Sequence, residues 1–247
     1  MQIRHRLNLL PIIGLATALA TTPGSAATLF LDSWGISYGN WTPGGAAPAQ
    51  VNWAVEDWTS GGGGYLNPGW GGDEYDAEAA YIAVDHDYLY LAVVTGFPIS
   101  GRDFYSDHYD AGDLFLDLGS NGSYEYAIDV SAGGQLRSGA LGLQNPMISG
   151  GSPWGGASDP LRVTSWTNSA AATAFSNGAW QGQYAIEAKV DRSLLAASDS
   201  YKLHWTMGCG NDVIETEIRP VPEPGSFLLL GAGVGAAALA RRRRKAA

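Results

Sequence analysis

One cysteine, Cys209, stands in 247 residues, so no disulfide can form within the chain. Stability has to come from packing or from a bound ion, and Cys209 reads as a small buried hydrophobe rather than a nucleophile. Basic residues are scarce as well. Of 14 lysines and arginines, Arg4 and Arg6 stand at the front and five close the chain, leaving seven between them. All 24 acidic residues share that middle, giving it a balance of −17. Such a balance excludes nucleic acid as a partner, because phosphate binding needs a positive surface. Long apolar stretches of 3.6-residue period are missing before residue 227, which argues against a helical protein. No nucleophile elbow, phosphate loop or dinucleotide fingerprint occurs, and His86, His108 and His204 lack zinc spacing. Nothing here asks for an enzyme.

What the middle does contain is glycine, tryptophan, tyrosine and a period of two. "DYLYLAVVTG" sets Leu89, Leu91 and Val93 on one face, and "DLFLDLG" does the same with Leu114, Leu116 and Leu118. "SYEYAIDV", "QYAIEAKV" and "KLHWTMG" alternate in the same way, the last placing Leu203, Trp205 and Met207 together. "LGSNGS" between two of these strands is a hairpin signal. Weaker strands are predicted over 28–31, 80–84, 135–143, 161–166, 171–175 and 212–218, and "DRSLLAAS" predicts one helical turn. About ten short strands, each with one apolar face, predict an all-β antiparallel sandwich of two sheets. Residues 40–75 and 144–160, with "TSGGGGYLNPGWGG" and "QNPMISGGSPWGGASDP", read as loops.

The ends differ from the middle. Residues 1–27 carry Arg4 and Arg6, an apolar stretch over 9–20 and small residues at 24–27, the layout of a secretory signal peptide cleaved after Ala26 or Ala27. Residues 221–247 read "VPEPGSFLLLGAGVGAAALARRRRKAA". The apolar run over 227–240 would cover about 21 Å as a helix, short against a hydrocarbon core of about 30 Å. Snorkelling by Arg241, Arg242, Arg243 and Arg244, with Lys245, narrows that gap and holds this end on the cytoplasmic side. The division predicted is therefore 1–27 signal peptide, 28–220 extracytoplasmic β-sandwich and 221–247 sorting and membrane segment.

Pro222-Glu223-Pro224, the short apolar helix and the basic cluster, in that order, resemble the PEP-CTERM sorting signal of exported bacterial proteins. The resemblance implies recognition at Pro222, Glu223 and Pro224 by the membrane enzyme exosortase, passage through the secretion machinery, anchoring in the inner membrane, and delivery to the cell surface or beyond. In the middle, "DAEAAYIAVDHDYLYLAVVTG", "GDLFLDLG" and "YAIEAKVDRSLL" resemble the jelly-roll-like sandwich of family 9 carbohydrate-binding modules.

Candidate site residues follow from these readings. Trp70 in "NPGWGGDEYD" and Trp154 in "GSPWGGASDP" sit in Gly-rich loops, where a flat aromatic face could stack on a sugar ring. Trp205 and Trp166 alternate within strands and are expected in the core. "GRDFYSDHYDAGDLFLD" holds Asp103, Asp107, Asp110 and Asp113 in close succession, and Asp107, Asp110 and Asp113 are the candidate metal ligands. No cofactor is certain, and Ca2+ is the one such oxygen-rich loops suit. "DEYDAE" and "DHD" are acidic stretches of the same kind. The function expected is a non-enzymatic surface protein of structural or adhesive role in an extracellular matrix, with exopolysaccharide as partner. The alternative is a calcium-assisted carbohydrate-binding module, and an enzyme acting on glycans ranks below both.

Overall fold

Leu89, Leu91 and Val93 share one buried cluster with Leu114, Leu116 and Leu118, so two of the alternating segments do turn their apolar faces toward a common core. In a computed structural model of the chain, residues 28–59, 71–148, 150–153 and 158–220 are described. The main strands are β1 (Gln50–Val55), β2 (Ala77–Val84), β3 (Tyr88–Thr95), β4 (Leu114–Leu118), β5 (Tyr126–Asp129), β6 (Gln135–Ser138), β7 (Asn168–Ala171), β8 (Ala174–Trp180), β9 (Gln183–Asp191), β10 (Tyr201–Thr206) and β11 (Val213–Ile218). They form a five-stranded sheet in the order β1-β2-β3-β9-β8 and a six-stranded sheet in the order β7-β6-β5-β4-β10-β11. Every pairing in both sheets is antiparallel. The fold is all-β, as the period of two predicts.

The inner faces supply the main core, including Ile82 and Ile186 from one sheet and Ile128, Leu203 and Trp205 from the other. Each such side chain contributes about 1.5–3 kcal/mol by leaving water. The outer faces are covered by the chain itself. Phe30, Leu31, Trp34, Ile36 and Trp41, from the segment ahead of β1, pack on Tyr81, Val94 and Trp180 of the five-stranded sheet. Phe115 and Ala127 of the six-stranded sheet are covered by Val163, Leu141 and Leu143, which flank or belong to the small pair Gly142–Gln144 and Arg162–Ser165. Glu187 accepts the amides of Leu29, Phe30 and Leu31 at 2.8, 2.9 and 3.0 Å, which fixes the first of these covers.

Several local expectations are corrected. Residues 28–31 form no strand, because their amides go to Glu187 instead of a neighbouring strand. The predicted strand at 171–175 straddles the connection between β7 and β8, and that at 135–143 breaks into β6 and Gly142–Gln144. Strand β1 lies inside the stretch read as loop, where "VNWAV" is bracketed by Gly- and Pro-rich text. Trp205 is fully buried as expected, but Trp166 is exposed and lies under the Arg137 guanidinium, 3.8 Å from its ring centre. The predicted helical turn is a 3-10 turn at Arg192–Leu194, whose Ser193 amide donates to the Asp191 carboxylate. Among the described residues no helix is long and apolar enough to cross a membrane. The expected signal peptide and C-terminal helix lie outside the described residues.

Candidate functional site

Acidic side chains from three separate segments converge at one end of the sandwich. Glu56 and Asp57 follow directly on β1, Asp76 and Glu78 stand at the start of β2, and Asp212 stands just before β11. One oxygen from each of Glu56, Asp76 and Asp212 lies within 4.8 Å of the other two, and so do oxygens of Asp57, Asp76 and Glu78.

The backbone explains the convergence. The amides of Glu56 and Asp57 both donate to the Glu78 carbonyl, at 3.0 and 3.4 Å, extending the β1–β2 ladder past its last pair. The β2–β3 register slips between Ala77 and Ala79, so Glu78 is the extra residue of a bulge. A bulge re-aims one side chain without moving the rest of the strand. Accordingly Ala77 and Ala80 face the main core while Ala79 and Tyr81 face the outer one. The Asp76 carbonyl accepts from Thr95 Oγ1 at 2.6 Å and from the Gly96 amide at 3.0 Å. A Cβ at Gly96 would lie 1.7 Å from the Asp73 carbonyl oxygen, so only glycine lets the 3-10 turn Asp73–Tyr75 pack there. Asp212 ties this corner to the other sheet: its Oδ2 accepts from Ala77 N at 2.8 Å, its Oδ1 from Val213 N at 2.7 Å.

Asp76 and Glu78 lack donors. Both oxygens of Asp76, both of Glu78 and Oε2 of Glu56 are buried and make no hydrogen bond, although Asp76 and Glu78 are only 1% and 0% exposed. Asp57 accepts from Trp41 Nε1 at 2.9 Å. No ion pair among the described residues involves any of the five. No lysine or arginine occurs between Arg6 and Arg102, the stretch that supplies Glu56, Asp57, Asp76 and Glu78. Burial first, then the neighbouring carboxylates, pushes Glu78 up to about 8. Glu56 moves the same way, by burial and then by a side-chain hydrogen bond with Asp212 and repulsion from it, and Asp76 by burial and then by repulsion from Asp212. Burial raises Asp212 too, against its amide bonds. Nearby, the charge of Glu78 raises the Tyr38 phenol. Chemically, such a group of oxygens can share protons or hold a hard cation, and it holds no soft nitrogen or sulfur donor.

The residues named from sequence fall elsewhere. Asp107 Oδ2 accepts from the Gly150 amide at 2.8 Å, and Asp110 pairs with Arg162 at 2.6 Å. Asp113 is buried and accepts from Val130 N and Val163 N, both at 2.9 Å, fastening β5 and the Arg162–Ser165 strand to β4. The three do not converge as the Glu56, Asp76 and Asp212 group does. Trp70, Trp154, Pro222, Glu223, Pro224 and the basic residues 241–245 lie outside the described residues. Within "DEYDAE" the sequence does flag Asp76 and Glu78. Glu56, Asp57 and Asp212 escape it because they come from distant segments, and the absence of lysine and arginine around Glu56 and Asp57 is the one signal it offered.

Residues 220–245 match the model of the PEP-CTERM protein-sorting motif. That motif indicates an exported protein, sorted by exosortase at the membrane before surface display. No curated protein and no solved structure matches the chain.

Proposed function

We propose that the chain is a non-enzymatic surface protein whose jelly-roll-like sandwich has a structural or adhesive role in the extracellular matrix. The observation that carries this reading is the sorting motif behind a sandwich whose two outer faces are sealed by its own chain. A block whose outer faces are largely covered, with 24 acidic residues against seven basic ones between Arg6 and Arg241, presents a strongly acidic exterior, which suits an element displayed outside the cell. The non-enzymatic reading is supported by the acidic corner. Glycoside hydrolysis uses two carboxyl groups about 5–10 Å apart across an open cleft. Here one oxygen per residue lies within 4.8 Å of the others in each of two triads that share Asp76, and the Asp76 and Glu78 side chains are buried instead of lining such a cleft.

A carbohydrate-binding module, with exopolysaccharide as its ligand, is the second reading. Exposed aromatic side chains favour it: Trp58 is 58% exposed two residues after Glu56, and Tyr38 and Trp53 are also exposed. Flat rings of this kind stack on pyranose faces.

The test compares host cells carrying the chain with cells lacking it, for matrix cohesion and for the length of the exopolysaccharide chains. Loss of cohesion with unchanged glycan length supports the structural role. Saturable binding of the purified full-length chain to that polysaccharide, weakened by Trp58→Ala, would favour the binding module. Shortened glycan on incubation with the chain would overturn both.

A further inference from the structure

We propose that Glu56, Asp57, Asp76, Glu78 and Asp212 form a calcium site that rivets the two sheets together at this corner. The argument starts from satisfaction. Buried polar groups in folded proteins almost always have partners, and each exception needs a cause. Five buried carboxylate oxygens on Glu56, Asp76 and Glu78 have none. An unpaired buried carboxylate is far more costly than an unpaired amide, and close like charges make it worse.

Geometry then names the partner. Calcium holds oxygens at 2.3–2.6 Å, so two ligands on opposite sides of one ion stand about 4.8 Å apart. The ligand atoms of Glu56, Asp76 and Asp212 fall within that span, as do those of Asp57, Asp76 and Glu78, with Asp76 common to both. The donors are all hard oxygens, which selects calcium or magnesium over zinc or copper. Magnesium keeps several waters and demands a near-regular octahedron, whereas calcium accepts six to eight irregularly placed ligands, including bidentate carboxylates. Two oxygen-only triads that share Asp76, with Asp76, Glu78 and Asp212 buried, Glu56 half-buried and Asp57 at the surface, therefore fit calcium.

The frame is set by main-chain bonds rather than by the ion. Glu78 sits in the β2 bulge, the Asp76 carbonyl is held by Thr95 and Gly96, and Asp212 is held by Ala77 N and Val213 N. Glu56 and Asp57 end the edge strand of the five-stranded sheet, and Asp212 opens the edge strand of the six-stranded one. An ion among them replaces repulsion between the two edges with a shared attraction. A chain with one cysteine has no disulfide to do this, and among the described residues no ion pair does it. Binding of calcium to the folded form alone stabilises it by mass action, so the domain is held more firmly wherever the ion is abundant. This inference concerns the folding of the sandwich and stands whichever of the two functional readings holds.

The test uses the full-length chain purified in detergent and stripped with EDTA. Calcium is titrated in, with magnesium and with matched sodium chloride as controls, and thermal unfolding and terbium luminescence are followed. Saturable calcium binding with a dissociation constant on the order of 10⁻⁴ M, as in extracellular modules, is expected, with a rise in Tm that magnesium does not reproduce. Sensitised terbium emission should appear and be displaced by calcium, since Tyr38 and Trp58 are close by. Asp76→Asn and Glu78→Gln, which keep shape and remove charge, should each weaken binding at least about tenfold. Should either fail to fold, Glu56→Gln at the half-buried edge serves, and the wild-type titration decides in any case. Absence of saturable binding to the stripped wild type would overturn the proposal. So would Asp76→Asn stabilising the chain equally with and without calcium, since shared protons would then be what satisfies the cluster.

Discussion

Glu187 holds Phe30 across 157 residues of sequence: its Oε1 accepts the Phe30 amide at 2.9 Å, and the flanking amides of Leu29 and Leu31 bind the same carboxylate. Glu187 lies in β9, in the interior of the five-stranded sheet, and points outward where Phe30, Trp34 and Trp41 cover it. One side chain thus substitutes for a strand partner. Glu187→Ala would leave three amides without acceptors and loosen the aromatic cover. The expected loss is about 3 kcal/mol or more, at about 1–3 kcal/mol for each orphaned group. Chemical denaturation of the full-length variant checks it, and early proteolysis ahead of β1 should accompany the loss.

Asp113 gives a pH dependence with a definite sign. Burial is the largest influence and pushes its carboxyl up to about 6, against the pull of the Val130 and Val163 amides. The folded state therefore binds a proton more readily than the unfolded one. That contribution to stability is complete below the usual carboxylate value and is lost as pH rises through about 6. Asp113→Asn mimics the neutral acid and sacrifices one amide bond at every pH. Between pH 4 and pH 7 the wild type should therefore lose stability relative to this variant, by at most about 3 kcal/mol for a shift of roughly two units. Paired unfolding curves at the two pH values measure the difference.

Cys209 should be inert while the chain is folded. It is buried, and burial pushes its thiol up to about 11. The thiolate is the reactive form, so both access and ionisation are withheld. An aromatic disulfide reagent at pH 8 is expected to label none of the native protein within minutes and all of it in strong denaturant. Rapid labelling of the native form would show that the corner around Cys209 opens readily.

The sorting motif makes its own prediction. Replacing Pro222, Glu223 and Pro224 together by alanine should leave export intact and stop processing, so that the larger, uncleaved form accumulates in the membrane fraction. Replacing only Arg241 to Arg244 with asparagine should weaken retention in the membrane during sorting. Fractionation and immunoblotting of the host distinguish the two effects by size and location.

Arg137 tests whether a buried pair tolerates a like charge. Its Nε and Nη2 bind Asp129 Oδ2 at 3.0 and 2.8 Å, Nη1 reaches Ser169, and Trp166 lies flat against it. Lysine cannot make those bonds together, so Arg137→Lys should cost about 1–3 kcal/mol. A loss no larger than that of an exposed substitution would show the pair to be dispensable.

Two kinds of information are separable in this protein. The address and the class of fold were legible in the linear text. Pro222-Glu223-Pro224, the apolar run and the basic cluster are contiguous, and a strand's period of two is local, so Leu89, Leu91 and Val93 declare their shared face unaided. Local text also misled where a tertiary partner overruled it: the 28–31 backbone was claimed by Glu187, and β1 was hidden between glycine-rich flanks because its pairing with β2 lies in space. The acidic corner arises from the packing of the two sheets and was not legible in the linear text. Glu56, Asp76 and Asp212 are spread over more than 150 residues, and a one-residue bulge at Glu78 turns the fourth carboxylate inward. Proximity of charges is a property of the folded backbone, and burial, which gives that proximity its energy, exists only once both sheets are packed.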